Sequence, residues 1–135
     1  MHKLNFYFIN DFDQNHIKNL PKDIAIIYRN YDEKYNEKKI LKIKKFCRLN
    51  RRKFFLANNI NLVVKLNLDG AYIPSFNNSL LVKRLKLRNF ILLGSAHNIK
   101  EINHKKKQEI DYLFISPIFK TKKKNKYLGL IKFNI

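Results

Sequence analysis

Six short apolar runs punctuate this chain: LNFYFI, IAIIY, KFFLA, GAYI, FILLG and YLFIS. None alternates apolar and polar residues. A nearly continuous apolar run is what a strand covered on both faces requires, so the pattern predicts a parallel sheet. The segments between the runs carry a helical period instead. NEKKILKIKKFCRLN sets Ile40, Ile43 and Cys47 on one stripe with lysines elsewhere. NINLVVKLN turns Val63 and Leu66 inward, and NSLLVKRLK opens on Ser79 as a helix cap. NIKEINHKKKQ is weakly amphipathic, with Ile99 and Ile102 as its apolar positions. DFDQNHIKNLPKD has room for a short helix, closed by Pro21.

Strand and helix therefore alternate through residues 1–135, as one α/β domain of about six βα units. Such units build either an open doubly wound sheet or a closed barrel, and both place ligands beyond the carboxyl ends of the strands. Those ends read ND, RNYDE, NN, PSFNN, SAHN and SPIFKTKKK. They are polar, small or cationic, and predict a pocket for a phosphorylated small molecule. Gly70, Gly94 and Gly129 form no G-x-G pattern, so no glycine-rich phosphate loop is present.

Charge changes the picture less than its size suggests. The chain carries 29 Lys and Arg against 10 Asp and Glu, a net +19. That invites a nucleic-acid reading. The lysines are spread along the whole chain, however, and they rise together with asparagine and isoleucine, all with A/T-rich codons. Most aromatics lie inside the strand runs rather than interleaved with cations, which ranks a basic nucleic-acid binder last. Cys47 is the only cysteine, so no internal disulfide forms and a reducing cytoplasm fits. No apolar run approaches the length of a membrane span, and the N-terminal run meets acids too soon for a signal peptide.

Four segments then resemble the thiamine phosphate synthase/TenI family of TIM barrels. IIYRNYD is similar to that family's second-strand motif, an arginine ending a strand. LANNINLVVKLNLDGAYIPSFN is similar to its Asn-Asp, then Leu-Ala, then Ala-Asp-Gly-Val-His stretch. LLGSAHN is similar to its Gly-x-Ser-Ala-His turn, and DYLFISPIFKTKKK to its Asp-Tyr, Gly-Pro and Pro-Thr-x-Thr-Lys stretch. They occur in the family's order across most of residues 24 to 130.

The resemblance implies a (β/α)8-type fold, here an incomplete barrel of about six βα units. It implies a cytoplasmic transferase of thiamine biosynthesis, joining hydroxymethylpyrimidine diphosphate to thiazole phosphate and releasing pyrophosphate. Loss of the diphosphate leaves a pyrimidine cation that the thiazole nitrogen captures, so charge stabilisation matters more than a base. By position, Arg29, Asn58 and Lys124 would contact the diphosphate, Ser95 would donate at the reacting centre together with Lys124, and Thr121 would hold the thiazole side. Arginine suits phosphate because its guanidinium is a bidentate fork.

Several positions depart from the family. Its magnesium aspartates fall on Asn59 and Asn77, its lysine after the arginine on Tyr31, its Val-His histidine on Tyr72, and its second threonine on Lys123. Magnesium prefers carboxylate oxygens, so its site should be weakened; Asp11, Asp13, Asp32 and Glu33 also follow strands and are alternative oxygen ligands. A second reading is a degenerate TenI-like protein that binds thiamine-related phosphates without synthase activity. Asn58, Asn59 and Ser95 equally suit helix caps. His97 reads as structural, because no carboxylate is placed by sequence to orient it; His2, His16 and His104 read as surface residues. A complete barrel needs about 200 residues, so the chain reads as cut after its sixth strand. Two open strand edges would then favour self-association.

Overall fold

The computed structural model describes residues 5–115 and the backbone of 129–132. The chain divides into two compact units, residues 1–70 and 71–135, and each is described by itself.

The first unit holds β1 (Asn5–Ile9), α1 (Gln14–Lys18), β2 (Ile24–Tyr28), α2 (Glu37–Leu49), β3 (Phe54–Ala57) and α3 (Ile60–Lys65). β1 pairs parallel with β2, Tyr7 opposite Ile26, and β2 pairs parallel with β3, Ile27 opposite Phe55. Ala25 through Tyr28 and all of β3 are buried, as strands covered on both faces must be. The apolar stripe of α2 is Ile40, Ile43 and Cys47, all buried. Burial raises the Cys47 thiol to about 12, which makes it a packing group rather than a nucleophile. α1 and α3 are too short to persist alone. Ile17 and Val63, each fully buried, hold them to the rest of the unit.

The second unit holds β4 (Gly70–Ile73, whose first residue closes the first unit), a 3-10 helix (Leu80–Arg88), β5 (Ile91–Ala96), α4 (Ile99–Lys107), β6 (Tyr112–Ile115) and β7 (Gly129–Lys132). Its strands lie in the order β4-β5-β6-β7. β5 and β6 are parallel, Ser95 opposite Phe114. Parallel strands alternating with helices make this the α/β arrangement that the apolar runs predict.

Two expectations need correction. β7 is a seventh strand, antiparallel to β6 with Leu113 opposite Ile131. It covers the β6 edge that the sequence reading leaves open. And α4 does not bury its isoleucines. Ile99 is 72% exposed and Ile102 only half-buried, while Lys105 is fully buried. The lysine stem is apolar enough to serve as core, and its Nζ exits to the Asn77 carbonyl at 2.9 Å.

One device ends α2, α3, the 3-10 helix and α4 alike. Arg51, Asn67, Asn89 and Glu109 adopt left-handed backbone with φ of 57°, 51°, 64° and 62°. The next residue's N–H then reaches back five positions: Arg52 to Cys47, Leu68 to Val63, Phe90 to Leu85 and Ile110 to Lys105. This is the Schellman closure, and it turns the chain directly into the following strand. A second device repeats between the units. Asp69 and Asp111 each accept from a strand-opening N–H with Oδ2, Phe54 and Leu92 respectively, both at 2.8 Å. Asp111 is also ion-paired with Lys86.

Arg52 locks the first unit at the start of β3. It is 6% exposed. Its guanidinium donates to the carbonyls of Pro21, Ile24, Ile17 and Leu20 at 2.7, 3.0, 2.9 and 2.8 Å. Those acceptors cluster where α1 ends and β2 begins.

Gly94 in β5 is required by space. A Cβ there would meet Lys105 Cδ at 3.1 Å, the Ile73 carbonyl at 3.2 Å and Ile110 Cγ2 at 3.3 Å. Gly94→Ala is expected to lower stability by ~1–3 kcal/mol, read as the urea midpoint at constant slope. An alanine variant as stable as the parent would show that the Lys105 stem swings aside freely.

Candidate functional site

In the first unit the carboxyl ends of β1 and β2 open into a cleft of about 740 Å³. Arg29 follows β2 directly. Its N–H donates to the Ile9 carbonyl at 2.8 Å, extending the ladder by one bond. Its guanidinium lies 4.1 Å from the Phe8 ring centroid, a stacked position that fixes the fork against an apolar plane. Asn30 ties the two strand ends together, its Nδ2 donating to the Asn10 carbonyl at 3.1 Å. The same cleft carries Asp11, Asp13, Asp32, Glu33 and His16.

Two of those acids have local work. Asp13 caps α1, accepting from His16 N. Asp11 accepts from Phe12 N and pairs with Lys39 at 3.1 Å; the amide and the ammonium together hold its carboxyl below the usual range. Lys39 is correspondingly raised. His16 is exposed, yet it is joined to the Tyr7 hydroxyl at 2.9 Å. Carboxylates thus outnumber cations in this wall. An anion seated here has Arg29 as its one guanidinium, so it needs further positive charge from elsewhere.

Asn58 and Asn59 sit after β3. Asn58 holds the left-handed position, φ 69°. Asn59 caps α3, its Oδ1 accepting from Leu62 N at 3.1 Å. Neither lines the cleft.

In the second unit the central pair is Tyr72 and Ser95. The Tyr72 hydroxyl donates to Ser95 Oγ at 2.7 Å. Ser95 accepts in that bond, so its own proton is available to donate to a ligand. Phe114 packs nearby, its ring centroid 6.3 Å from that of Tyr72. Residue 72, which the sequence comparison marks only as a departure, is therefore the partner that orients Ser95.

Asn77 is engaged on both sides. Its Oδ1 accepts from Ser79 N at 2.9 Å. Its carbonyl accepts from Lys105 Nζ at 2.9 Å and Gln108 Nε2 at 2.8 Å. Ser79 in turn caps the 3-10 helix, accepting from Leu81 N at 3.1 Å.

His97 corrects the sequence reading. Glu101, one turn along α4, accepts from the His97 backbone N–H at 2.7 Å and lies 3.0 Å from Nδ1. Burial pushes the Glu101 carboxyl up, but the His97 amide and ring outweigh it and hold it below its ordinary range. The orienting carboxylate is four residues downstream, in the first turn of α4, and reaches back past the Asn98 cap to the residue before the helix.

Thr121, Lys122, Lys123 and Lys124 lie outside the described residues. Arg29, Asn58 and Asn59 belong to the first unit, and Asn77 and Ser95 to the second.

The residues at the positions where the resemblance puts magnesium ligands do not fit the ion well. Asn59 and Asn77 are neutral amides whose side-chain oxygens already accept from backbone N–H groups. Among the described residues no group of three or more His, Cys, Asp or Glu converges as a metal site. No helix among them is long and apolar enough to cross a membrane.

Parallel βα units with polar strand ends define a class: an α/β protein that offers ligand groups from the loops after its strands. The comparisons make this specific. The family model described as thiamine monophosphate synthase matches residues 20–133, and the chain belongs to that family. It is 32% identical over 72 residues to the thiamine-phosphate synthase of Lysinibacillus sphaericus, covering 53% of this chain and 34% of that protein. It is 28% identical over 133 residues to the Prochlorococcus marinus thiamine-phosphate synthase, covering 92% and 38%. The chain thus spans little more than a third of those relatives. The solved thiamine phosphate pyrophosphorylase from Pyrococcus furiosus superposes with a TM-score of 0.66 at 17% identity, over 87% of this chain and 61% of that one. At that identity the likeness is one of fold: α/β, with parallel strands alternating with helices.

Proposed function

We propose that this chain is a thiamine phosphate synthase-like transferase domain, with pyrimidine diphosphate and thiazole phosphate as substrates and pyrophosphate as product. The observation that carries the reading is the family match across residues 20–133. Two local features support it. The stacked Arg29 fork at the end of β2 is a phosphate ligand. The Ser95 hydroxyl, with Tyr72 donating to it, is left as a donor at the reacting centre. Departure of a diphosphate from carbon needs donors aimed at developing negative charge, which both residues supply. Thr121 and Lys124 complete this proposal for the thiazole and diphosphate, with Asn58 on the diphosphate side.

The test is turnover of the two phosphorylated substrates with magnesium, read by product chromatography. Arg29→Ala and Ser95→Ala are each expected to lower kcat/KM by about 10²–10³-fold. Unchanged turnover in both variants would overturn the assignment of these residues.

The engaged oxygens of Asn59 and Asn77 favour a second reading, a TenI-like protein that binds thiamine-related phosphates without joining them. Magnesium is expected to bind weakly, and Asn59→Asp with Asn77→Asp to tighten it about tenfold or more. Aspartate can keep both backbone bonds while adding charge, so folding is preserved. Efficient magnesium-dependent turnover by the unaltered chain would refute the weak site. A cytoplasmic setting and self-association at the outer edge of β1 belong to the same proposal.

A further inference from the structure

A second cleft lies at the opposite, amino end of β3. It has a volume of about 270 Å³ and is lined by Lys44, Arg48, Arg51, Arg52, Lys53 and Asp69 among others. Five cations face one carboxylate, the reverse of the strand-end cleft.

Helix ends account for two of the five. Arg48 sits in the last turn of α2, where a cation offsets the helix dipole. Lys44 donates to the Leu66 carbonyl at the end of α3 at 2.7 Å. The other three are not accounted for in this way. Arg51 and Lys53 are exposed and form no ion pair among the described residues. Arg52 is buried with its guanidinium pinned to four carbonyls, and its Nε–H has no acceptor. Its charge is fixed in the wall with no carboxylate paired to it among the described residues. Asp69 offsets only one of the five positive charges; its Oδ2 accepts from the Phe54 N–H, and it forms no ion pair among the described residues.

We propose that this cleft binds a small phosphate-bearing anion, at a site separate from the strand-end residues. The Arg51 and Lys53 side chains supply mobile donors, and Arg52 supplies a preset positive potential that costs no reorganisation when the anion arrives. The volume lies at the lower limit of small-molecule pockets. It fits a phosphate or diphosphate group, either free or as the end of a phosphorylated metabolite. A nucleic-acid strand is not favoured: Phe54, the one aromatic in the lining, is 1% exposed and offers no stacking face.

The experiment is a pyrophosphate titration of the full chain at moderate salt, which damps the diffuse attraction of a polycation. It is followed by backbone amide NMR shifts. Four proteins are compared: wild type, Arg29→Gln, Arg51→Gln with Lys53→Gln, and all three changes together. Arg51 and Lys53 are exposed, so the double change leaves the fold intact, as circular dichroism checks. The amides of Arg51–Phe54 and Asn67–Asp69 are expected to shift saturably in wild type and in Arg29→Gln alike. Their apparent affinity is expected to fall about tenfold in the double variant. Glycerol phosphate and inorganic phosphate, titrated in parallel, distinguish a metabolite end from the free anion by which saturates first. Amides that fail to saturate, or that saturate equally in the double variant, would overturn the site. So would a short RNA that binds there more tightly than pyrophosphate at equal phosphate concentration.

Discussion

Arg52→Leu is expected to lower folding stability by ~3–5 kcal/mol, a large share of what a domain this size possesses. Arg51, Arg52 and Lys53 read in sequence as three adjacent surface cations, yet the middle one is buried and holds the turn between α1 and β2. Four carbonyls lose a charged donor at once, and apolar substitution supplies none. Arg52→Lys is expected to recover less than half of the loss, since one ammonium cannot reproduce a planar fork that reaches four acceptors. Urea unfolding of the three proteins decides the matter. A leucine variant within ~1 kcal/mol of the parent would show that the carbonyls find water instead.

The second large effect lies at Lys105, where removing a charge is expected to stabilise. Burial lowers its ammonium from 10.5 to about 8, and the Glu101 carboxylate opposes that only in part. Below pH 8 the lysine is charged in both the folded and unfolded chains, and the folded state bears the full cost of burying the charge. Between about 8 and 10.5 the folded chain has released the proton while the unfolded chain retains it, so stability rises with pH across that window. Lys105→Met keeps the stem that packs against Gly94. The Asn77 carbonyl keeps its bond from Gln108 Nε2. The variant is expected to be more stable than wild type by ~1–3 kcal/mol at pH 7, with the advantage shrinking toward pH 10. Cys47 and Tyr35, pushed up by burial from 9.0 and 10.0 to about 12, lose protons in the unfolded chain first and so lower stability in the upper part of the window. They do so equally in both proteins, so the difference between the two profiles reports Lys105. Parallel stability profiles for the two proteins from pH 7 to 10 would refute the account.

These cases show where the sequence was readable. The strands were, because continuous apolar runs have few alternatives once both faces are covered: β2, β3 and β4 fall on IAIIY, KFFLA and GAYI. The α2 stripe was readable for the same reason. α4 was not, because a lysine stem counts as polar in any pattern yet fills core when its head finds a carbonyl. β7 escaped notice because its pairing is antiparallel and follows a long polar stretch. Motif context singles out Arg29 and Ser95 as candidates, but it does not show their settings. The stacking on Phe8, the Tyr72 bond and the acid-rich wall all depend on side chains brought together by the strands. Asp69 and Asp111, to which the sequence assigns no role, each hold a strand opening by accepting from its backbone N–H.

The left-handed helix closures have a consequence for the protein's evolutionary latitude. Glycine is the residue that suits such positions, yet none of the four carries it; two use asparagine, one arginine and one glutamate. Each non-glycine residue there bears a conformational cost of about 1 kcal/mol, with asparagine bearing the least. Glycine codons are rich in G and C, whereas those of asparagine and lysine are not. A genome drifting toward A and T therefore moves these turns toward asparagine, the substitute that strains the backbone least. On that route base composition would act on the protein through its helix ends. Glycine at those positions would relieve the backbone strain but would lose more conformational entropy on folding, which leaves asparagine a close substitute.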